Sequence, residues 1–232
     1  MSADLVVLGL IWFVVFLFST TLHEAAHAFA AHRLGDSTAY HGGQVTLNPL
    51  PHIQREPVGM ILVPLITFAA NQWMMGWASA PSAPTWAHRY PKRAAIMALA
   101  GPFSNLLLAL TAGILLRIGL ETGVFAPPDG FSFTQLAQGA VHAWNGPAVA
   151  LSILFSLNLL LFVFNLLPLP PLDGSAVLPA FLSDDMARRY REFLYQPMIS
   201  LLGLLIAWKV FPPLYLPVYR QAIFLLYGGY GL

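Results

Sequence analysis

The stretch "TTLHEAAHAFAAH", residues 20–32, places two histidines and a glutamate within five residues of a strongly apolar segment. The residues just before it, 5–18, are all uncharged and, apart from Gly9, aliphatic or aromatic. A charged side chain at the centre of a bilayer costs about 2.5–3.5 kcal/mol on insertion scales. Ionisable residues in such a segment are therefore candidates for function.

The composition of the whole chain is that of an integral membrane protein. Of its 232 residues, 57% are hydrophobic and only 9% are charged, whereas a soluble domain carries about 25% charged residues. The length suits one domain, residues 1–232, and the net charge of +1 argues against nucleic-acid binding,. Because the chain has no cysteine, a metal would have to be held by histidines and carboxylates.

Apolar runs near the about 20 residues needed to cross a bilayer predict an all-α polytopic protein. The runs occupy residues 5–30, 94–116, 148–167 and 198–211. A possible further helix at 214–226 is separated from the last run by Pro212 and Pro213. A sixth apolar segment, 58–77, contains Pro64 and Asn71 and has basic residues on both sides. We expect it to be re-entrant or interfacial.

The segment between the first span and this apolar segment has a different pattern. Short alternating stretches around Gly42 and Gly43 predict a small β-hairpin over residues 39–47,. An edge open to lipid would leave backbone groups unpaired. We therefore expect the hairpin to face protein, water or a partner strand, and Gly43 and Val45 to contact a peptide substrate by strand addition.

Lysine and arginine predict the orientation, because they collect in cytoplasmic loops. Five basic residues lie between the first span and the span at 94–116, and three more follow the span at 148–167. The connection 121–144 has none. The two basic regions are therefore expected on the cytoplasmic side of a cell membrane, together with the ends of the spans that they flank.

The motif HEAAH, residues 23–27, has the spacing of a zinc site. On a helix, His23 and His27 lie one turn apart on the same face and can bind one ion, while Glu24 can act as general base toward a metal-associated water. The alternative is two core histidines and a glutamate in an ion pair. That alternative places three polar groups in the membrane without a role.

A catalytic zinc ion usually has three protein ligands, so a third must come from another part of the chain. Asp173, in "FNLLPLPPLDGS", follows the span at 148–167 at its inner end. If residues 58–77 do not cross, Asp173 and the two histidines lie on the same side of the membrane. The alternative for Asp173 is an Asp-Gly turn that ends the span.

Together, HEAAH and "NLLPLPPLDG" resemble the site-2 protease family of intramembrane zinc metalloproteases. The segments "GQVTLNPLPHI", "PVGMILVPL" and "LAGPFSNLLLAL" are similar to the bacterial branch of that family, in a minimal form without PDZ or nucleotide-sensing domains. The resemblance implies a three-span catalytic core, here with additional C-terminal helices. It also implies one zinc ion held by His23, His27 and Asp173, and peptide hydrolysis with Glu24 as base.

The resemblance further implies that Asn165 engages the substrate near the cleaved bond. Its alternative is hydrogen bonding between helices, worth about 0.6 kcal/mol on average. One departure from the family pattern is Ser175, which stands where a second glycine usually follows Asp-Gly.

The expected partners are the lipid bilayer and a transmembrane or membrane-associated peptide, and no pattern predicts an oligomeric state. Two other functions compete with intramembrane proteolysis. One is a metal- or ion-binding transporter, although the internal repeats typical of transporters are not visible in the sequence. The other is a zinc-binding relative that has lost proteolysis, against which the intact Glu24 argues.

Overall fold

Four long apolar helices form the body of the protein. A computed structural model describes residues 3–194 and 196–228. The four helices are α1 (Ala3–Arg33), α6 (Pro91–Glu121), α7 (Asn145–Asn165) and α10 (Pro197–Tyr227). Each has the length and composition to cross a membrane,. The protein is therefore a multi-pass membrane protein of the all-α class, as the composition predicted.

Shorter elements occupy the connections between these helices. Seven are helical segments or turns: α2 (Thr38–His41), α3 (Leu50–Arg55), a π-helical turn (Val58–Leu62) that runs into α4 (Val63–Asn71), α5 (Pro84–Arg89), α8 (Asp173–Val177) and α9 (Asp184–Leu194). Two 3₁₀ turns lie at His142–Trp144 and Leu178–Phe181. A small antiparallel pair, β1 (Phe125–Ala126) and β2 (Gln138–Gly139), joins α6 to α7.

Helix α6 is central and packs against both α1 and α7. One apolar cluster joins α6, α7 and α10 around Leu116, Phe155 and Tyr215. A second joins α1, α4 and α7 around Trp12 and Phe68. The outward faces of the long helices are also apolar, with exposed valine, leucine and isoleucine side chains, as lipid contact requires.

Residues 58–77 form a short helix and then return toward their own starting point. At about 1.5 Å per residue, the helical part 58–71 reaches only about 20 Å, short of the about 30 Å hydrocarbon core. The helix ends at Gln72, which has a left-handed φ of 56°. The Trp77 N–H then donates to the Gly59 carbonyl at 3.2 Å, so the chain has turned back. This geometry agrees with the expectation that the segment does not span.

The prediction of strands at residues 39–47 is wrong, because the small antiparallel pair of this fold lies at β1 and β2 instead. Residues 38–41 form α2, and Gly43 follows it with a φ of +71°. A glycine in this left-handed conformation is the usual end of a helix. The Gln44 N–H donates back to the Ala39 carbonyl at 3.0 Å, which closes the turn. The glycine pair therefore ends a helix rather than forming a hairpin loop.

The predicted break between 198–211 and 214–226 is also wrong. Helix α10 runs without interruption from Pro197 to Tyr227 and contains Pro212, Pro213 and Pro217. Proline has a φ near −65°, which is a helical value, and its main cost is a missing hydrogen bond. Membrane helices tolerate this loss, so α10 is one long span.

Candidate metal centre

Helix α1 holds both histidines of the HEAAH motif on its buried face. The Nε2 atoms of His23 and His27 lie 3.0 Å apart, as expected for two side chains one helical turn apart. Both residues are buried, as is Glu24 between them. The prediction that residues 23–27 lie on a helix, with both histidines on one face, is therefore confirmed.

Asp173 reaches the same point from the beginning of α8. Its Oδ2 atom lies 3.2 Å from His23 Nε2, and its Oδ1 atom lies 3.3 Å from His27 Nε2. The three side chains can each direct one ligand atom to a common point, with these atoms within 4.8 Å of one another. If residues 58–77 crossed the membrane, Asp173 and the two histidines would lie on opposite sides. Their meeting therefore supports the predicted topology.

The turn that carries Asp173 is shaped by the two small residues that follow it. A Cβ on Gly174 would lie 2.3 Å from the Leu166 carbonyl oxygen, so only glycine allows the loop to fold this closely. Ser175 is buried, and its hydroxyl donates to the Leu172 carbonyl at 2.7 Å. The serine that departs from the family pattern therefore caps the turn that carries Asp173.

The hydrogen-bond partners of the two imidazoles fit a metal site. His27 Nδ1 is 2.8 Å from the Met97 carbonyl, and His23 Nδ1 is 2.6 Å from Asn105 Oδ1. A carbonyl or amide oxygen can only accept, so these contacts suit hydrogen on each Nδ1, and a neutral ring of that tautomer directs a bare Nε2 toward Asp173. In that tautomer, lone pairs at separations of 3.0–3.3 Å would repel one another, and a cation among them would relieve the repulsion.

Zinc suits this donor set. Two ligands about 2.0–2.1 Å from a tetrahedral ion lie about 3.3–3.4 Å apart, close to the separations observed here. Two imidazoles and one carboxylate are a common ligand set for catalytic zinc and leave one position for water. Gly101 on α6 faces the same point, where a Cβ would lie 2.3 Å from His27 Nε2. Any larger residue at position 101 would therefore displace the imidazoles.

A cleft of about 280 Å³ opens beside these residues. Glu24, His27 and Asp173 lie along it, together with Arg191 from α9. The remaining wall consists mainly of small side chains, namely Ala78, Ser79, Ala80, Ser82, Ala87, Ala94, Ala98 and Ala176. Because these side chains are small, the cleft leaves room for a bulky bound molecule beside Glu24 and the candidate metal position.

Residues 73–83, which supply part of this wall, contain no helix or strand. Alternate residues along the segment bond to the body of the protein. These bonds join Met75 N–H to Thr67 Oγ1 (3.0 Å), Trp77 N–H to the Gly59 carbonyl (3.2 Å), the Ser79 carbonyl to Gln44 Nε2 (3.2 Å) and Ala83 N–H to Asp36 Oδ2 (2.7 Å). Among the described residues, these hydrogen bonds fix the segment along one edge.

Asp36 anchors both this segment and α2. Its Oδ1 accepts from the Thr38 hydroxyl at 2.5 Å and from the Thr38 N–H at 3.0 Å, and its Oδ2 accepts from the Ala83 N–H. Burial opposes ionisation, but these hydrogen bonds outweigh it and hold the pKa of the Asp36 carboxyl below its ordinary value,.

Three predicted substrate contacts lie away from the cleft walls. Asn165 is the last residue of α7 and is half-buried, whereas Gly43 is exposed and Val45 is half-buried after α2. None of the three is among the residues that line the cleft. Sequence reasoning did not predict that residues of the segment 78–82 line the cleft, and it explained Asn105 by packing without predicting its hydrogen bond to Asn158. The only available signal for that pair was a polar amide inside each of two predicted spans.

Fold and site together define a class: a polytopic membrane protein with a candidate metal site formed by two buried histidines and a half-buried aspartate from two distant parts of the chain. The profile of Peptidase family M50 matches residues 11–207. The chain belongs to this family.

Curated relatives carry names of the same kind. The chain is 36% identical over 166 residues to "Putative zinc metalloprotease YwhC" of Bacillus subtilis, covering 71% of this chain and 66% of that protein. It is 31% identical over 196 residues to "Putative zinc metalloprotease Rip2" of Mycobacterium tuberculosis H37Rv, covering 82% and 64%. The chain thus spans slightly less than two thirds of the length of these relatives. No solved structure matches it significantly.

Proposed function

We propose that the protein is an intramembrane zinc endopeptidase that hydrolyses peptide bonds in or near transmembrane segments of its substrates. The observation that carries the proposal is the meeting of His23, His27 and Asp173 beside Glu24, within a bundle of membrane-spanning helices. Membership of Peptidase family M50 and the metalloprotease names of the relatives support it.

The residues of the cleft divide the chemistry among them. A zinc ion held by His23, His27 and Asp173 would polarise a water molecule and the scissile carbonyl. Glu24 then takes the proton of the attacking water and passes it to the leaving nitrogen. Burial of Glu24 and of the histidines in an apolar bundle strengthens these interactions, because the local dielectric constant is low,.

A substrate helix must unwind before hydrolysis, since its carbonyls are held in its own hydrogen bonds. Unwound backbone in lipid is costly unless another chain pairs with it. We propose that residues 78–82, rather than 39–47, provide that pairing. They line the cleft beside Glu24 and Asp173, whereas residues 39–47 form a helix and a turn.

The direction of the backbone groups supports this edge. In extended chain the N–H and C=O groups of neighbouring residues point to opposite edges. Residues 75, 77, 79 and 83 bond to the protein, so Ala78 and Ala80 direct their groups the other way. Within the described chain these groups of Ala78 and Ala80 have no hydrogen-bond partner. Pro81, which lacks an N–H, falls on the bonded edge, where strand addition does not use it.

The proposed location is a cell membrane, with the cleft toward the cytoplasm. The C-terminal ends of α1 and α7 and the N-terminal ends of α6 and α10 share the end of the bundle where the metal centre lies. The connections at that end carry eight basic residues, Arg33, Arg55, Arg89, Lys92, Arg93, Arg188, Arg189 and Arg191. Such a bias favours the cytoplasmic side.

The first experiment compares wild type with Glu24→Gln, purified in detergent or reconstituted in liposomes. Both proteins should contain one zinc ion per chain, whereas cleavage of a model transmembrane peptide should fall about 10²–10⁴-fold in the variant. Equal cleavage by both proteins would refute the role of Glu24. Zinc uptake into liposomes that survives the substitution, without cleavage by either protein, would indicate transport instead.

The second experiment tests the edge. Ala80→Pro removes one N–H from it, whereas Ala80→Gly keeps this N–H and serves as the matched control. We expect Ala80→Pro to raise KM for the transmembrane peptide about tenfold, the loss of about 1.4 kcal/mol of binding, with zinc content unchanged. Pro81→Ala, which alters the bonded edge, should behave as wild type. Normal KM in Ala80→Pro would remove this edge from the mechanism and leave the zinc chemistry intact.

A further inference from the structure

A chain of buried amides leads from one metal ligand across three helices. His23 Nδ1 on α1 lies 2.6 Å from Asn105 Oδ1 on α6, and Asn105 Nδ2 donates to Asn158 Oδ1 on α7 at 2.7 Å. Asn158 Nδ2 donates to the Leu154 carbonyl and to Ser19 Oγ, each at 2.8 Å. Asn105, Asn158 and Ser19 are each 0% exposed, so water does not replace these bonds.

The chain has a fixed direction, because it ends on a group that can only accept. The Leu154 carbonyl requires the amide nitrogen of Asn158, which turns Asn158 Oδ1 toward Asn105. That oxygen in turn requires the amide nitrogen of Asn105, which turns Asn105 Oδ1 toward His23. An acceptor at this point requires hydrogen on His23 Nδ1, which in the neutral ring leaves Nε2 bare.

The opposite direction would disable the ligand. If the Asn105 amide were rotated by half a turn, its NH₂ group would face His23 Nδ1, and the ring hydrogen would move to Nε2. An Nε2 that carries hydrogen cannot bind a metal ion. His27 avoids this ambiguity by a shorter route, because its Nδ1 faces the Met97 carbonyl directly at 2.8 Å.

We propose that Asn105 and Asn158 are positioning residues that select the metal-binding tautomer of His23 and so set the zinc affinity of the site. Asn158 touches no ligand and acts only through Asn105. This inference rests on the zinc site of the proposed function, but not on proteolysis. The competing explanation is that the two amides merely hold the helices together, which is worth about 0.6 kcal/mol per bond on average.

Zinc affinity distinguishes the two explanations. It is measured for the full chain in detergent by competition with a chelator of known affinity. Removal of a group that orients a ligating histidine typically costs about 10–100-fold in metal affinity, and this is the loss expected for Asn105→Leu. Asn105→Asp keeps an acceptor toward His23 and should stay within about threefold of wild type. Ser152→Ala on α7 is the matched control, because Ser152 is equally buried and lies outside the chain of amides.

The decisive measurement is a double-mutant cycle. Asn158→Leu frees the Asn105 amide to rotate, and we expect zinc affinity to fall about 3–10-fold, because only part of the molecules keep the binding tautomer. In the Asn105→Asp background no rotation matters, so adding Asn158→Leu should leave zinc affinity unchanged. Equal losses in both backgrounds, or none in either, would overturn the proposal.

A measurement on the unmutated protein tests the proposal even if the variants fail to fold. Nitrogen-15 NMR of histidine-labelled, zinc-free protein should show hydrogen on Nδ1 of His23, and hydrogen on Nε2 would overturn the proposal. None of these readouts involves cleavage. A wild type that binds zinc and cleaves nothing would therefore refute the proposed function and leave this inference standing. Zinc binding without coupling between the asparagines would refute this inference and leave the proposed function standing.

Discussion

Replacement of Gly101 by alanine tests whether the space between the histidines and α6 belongs to a metal ion. The new Cβ would lie 2.3 Å from His27 Nε2 and 2.6 Å from His23 Nε2. Non-bonded contact needs about 3.5 Å, so each ring would have to move by about 1 Å. Functional metal sites keep their ligand distances within about 0.2 Å. We expect zinc affinity to fall at least about 100-fold, the upper end of losses caused by removing orienting groups.

The effect on stability should be much smaller than the effect on zinc. Alanine in place of glycine favours a helix by about 0.5–1 kcal/mol, and overpacking costs about 1–3 kcal/mol. The zinc-free protein should therefore lose only about 0–2.5 kcal/mol. A folded protein with little zinc is the specific signature of a clash at the metal position.

The assay measures zinc per chain by elemental analysis and thermal unfolding in excess chelator. Gly113→Ala is the control, because it makes the same change on α6 where a Cβ would lie 3.0 Å from the Phe155 ring. This variant should retain one zinc ion per chain. If Gly101→Ala also binds zinc with the affinity of wild type, the imidazoles do not meet an ion at this position and the site geometry is refuted.

Three further outcomes follow from the same contacts. The folded-state pKa of Asp36 lies below its unfolded value of about 3.9,. The ionised carboxylate therefore stabilises the fold fully above about pH 4, and this stabilisation is lost as the pH falls through the folded pKa. The melting-temperature difference between wild type and Asp36→Asn should be constant from about pH 8 to 5 and narrow below about pH 4. Gly203→Ala on α10 would place a Cβ 2.0 Å from the Pro170 carbonyl oxygen, displacing the loop before Asp173, and should weaken zinc binding about tenfold; Gly146→Ala, with no atom within 4 Å, should not. Zinc added to the zinc-free protein at 100 times its dissociation constant should raise the free energy of unfolding by about 2.7 kcal/mol. Asp173→Asn should abolish that increase, and an equal increase in this variant would exclude the carboxylate as a ligand.

The meeting of His23, His27 and Asp173 was predictable because most of its signals are local. The spacing of His23 and His27 depends only on the helical repeat, and the apolar context placed that helix in the membrane. Asp173 required one further step, the side of the membrane on which its span ends. The basic residues supplied that information, and the observed distances of 3.2 and 3.3 Å between Asp173 and the two rings agree with it.

The errors arose where one signal serves two structures. A glycine pair can form a hairpin loop or end a helix, and the choice at Gly43 depends on hydrogen bonds that Asp36 makes to α2 and to residue 83. Likewise Pro212 and Pro213 lower helix stability in water, but their φ is helical, and lipid on most sides of α10 offers the backbone no other partners. Both choices depend on surroundings that a local pattern does not contain.

Asn105 and Asn158 show the deeper limit of sequence reasoning. An amide inside a span signals a polar contact, but the partner depends on the rotation and depth of three helices at once. Once the helices are placed, the backbone carbonyl of residue 154 fixes the direction of every bond up to His23. A metal ligand can thus be read from its own motif, whereas the tautomer that makes it a ligand is decided two helices away, and changes on α7 should therefore alter zinc affinity without touching the motif.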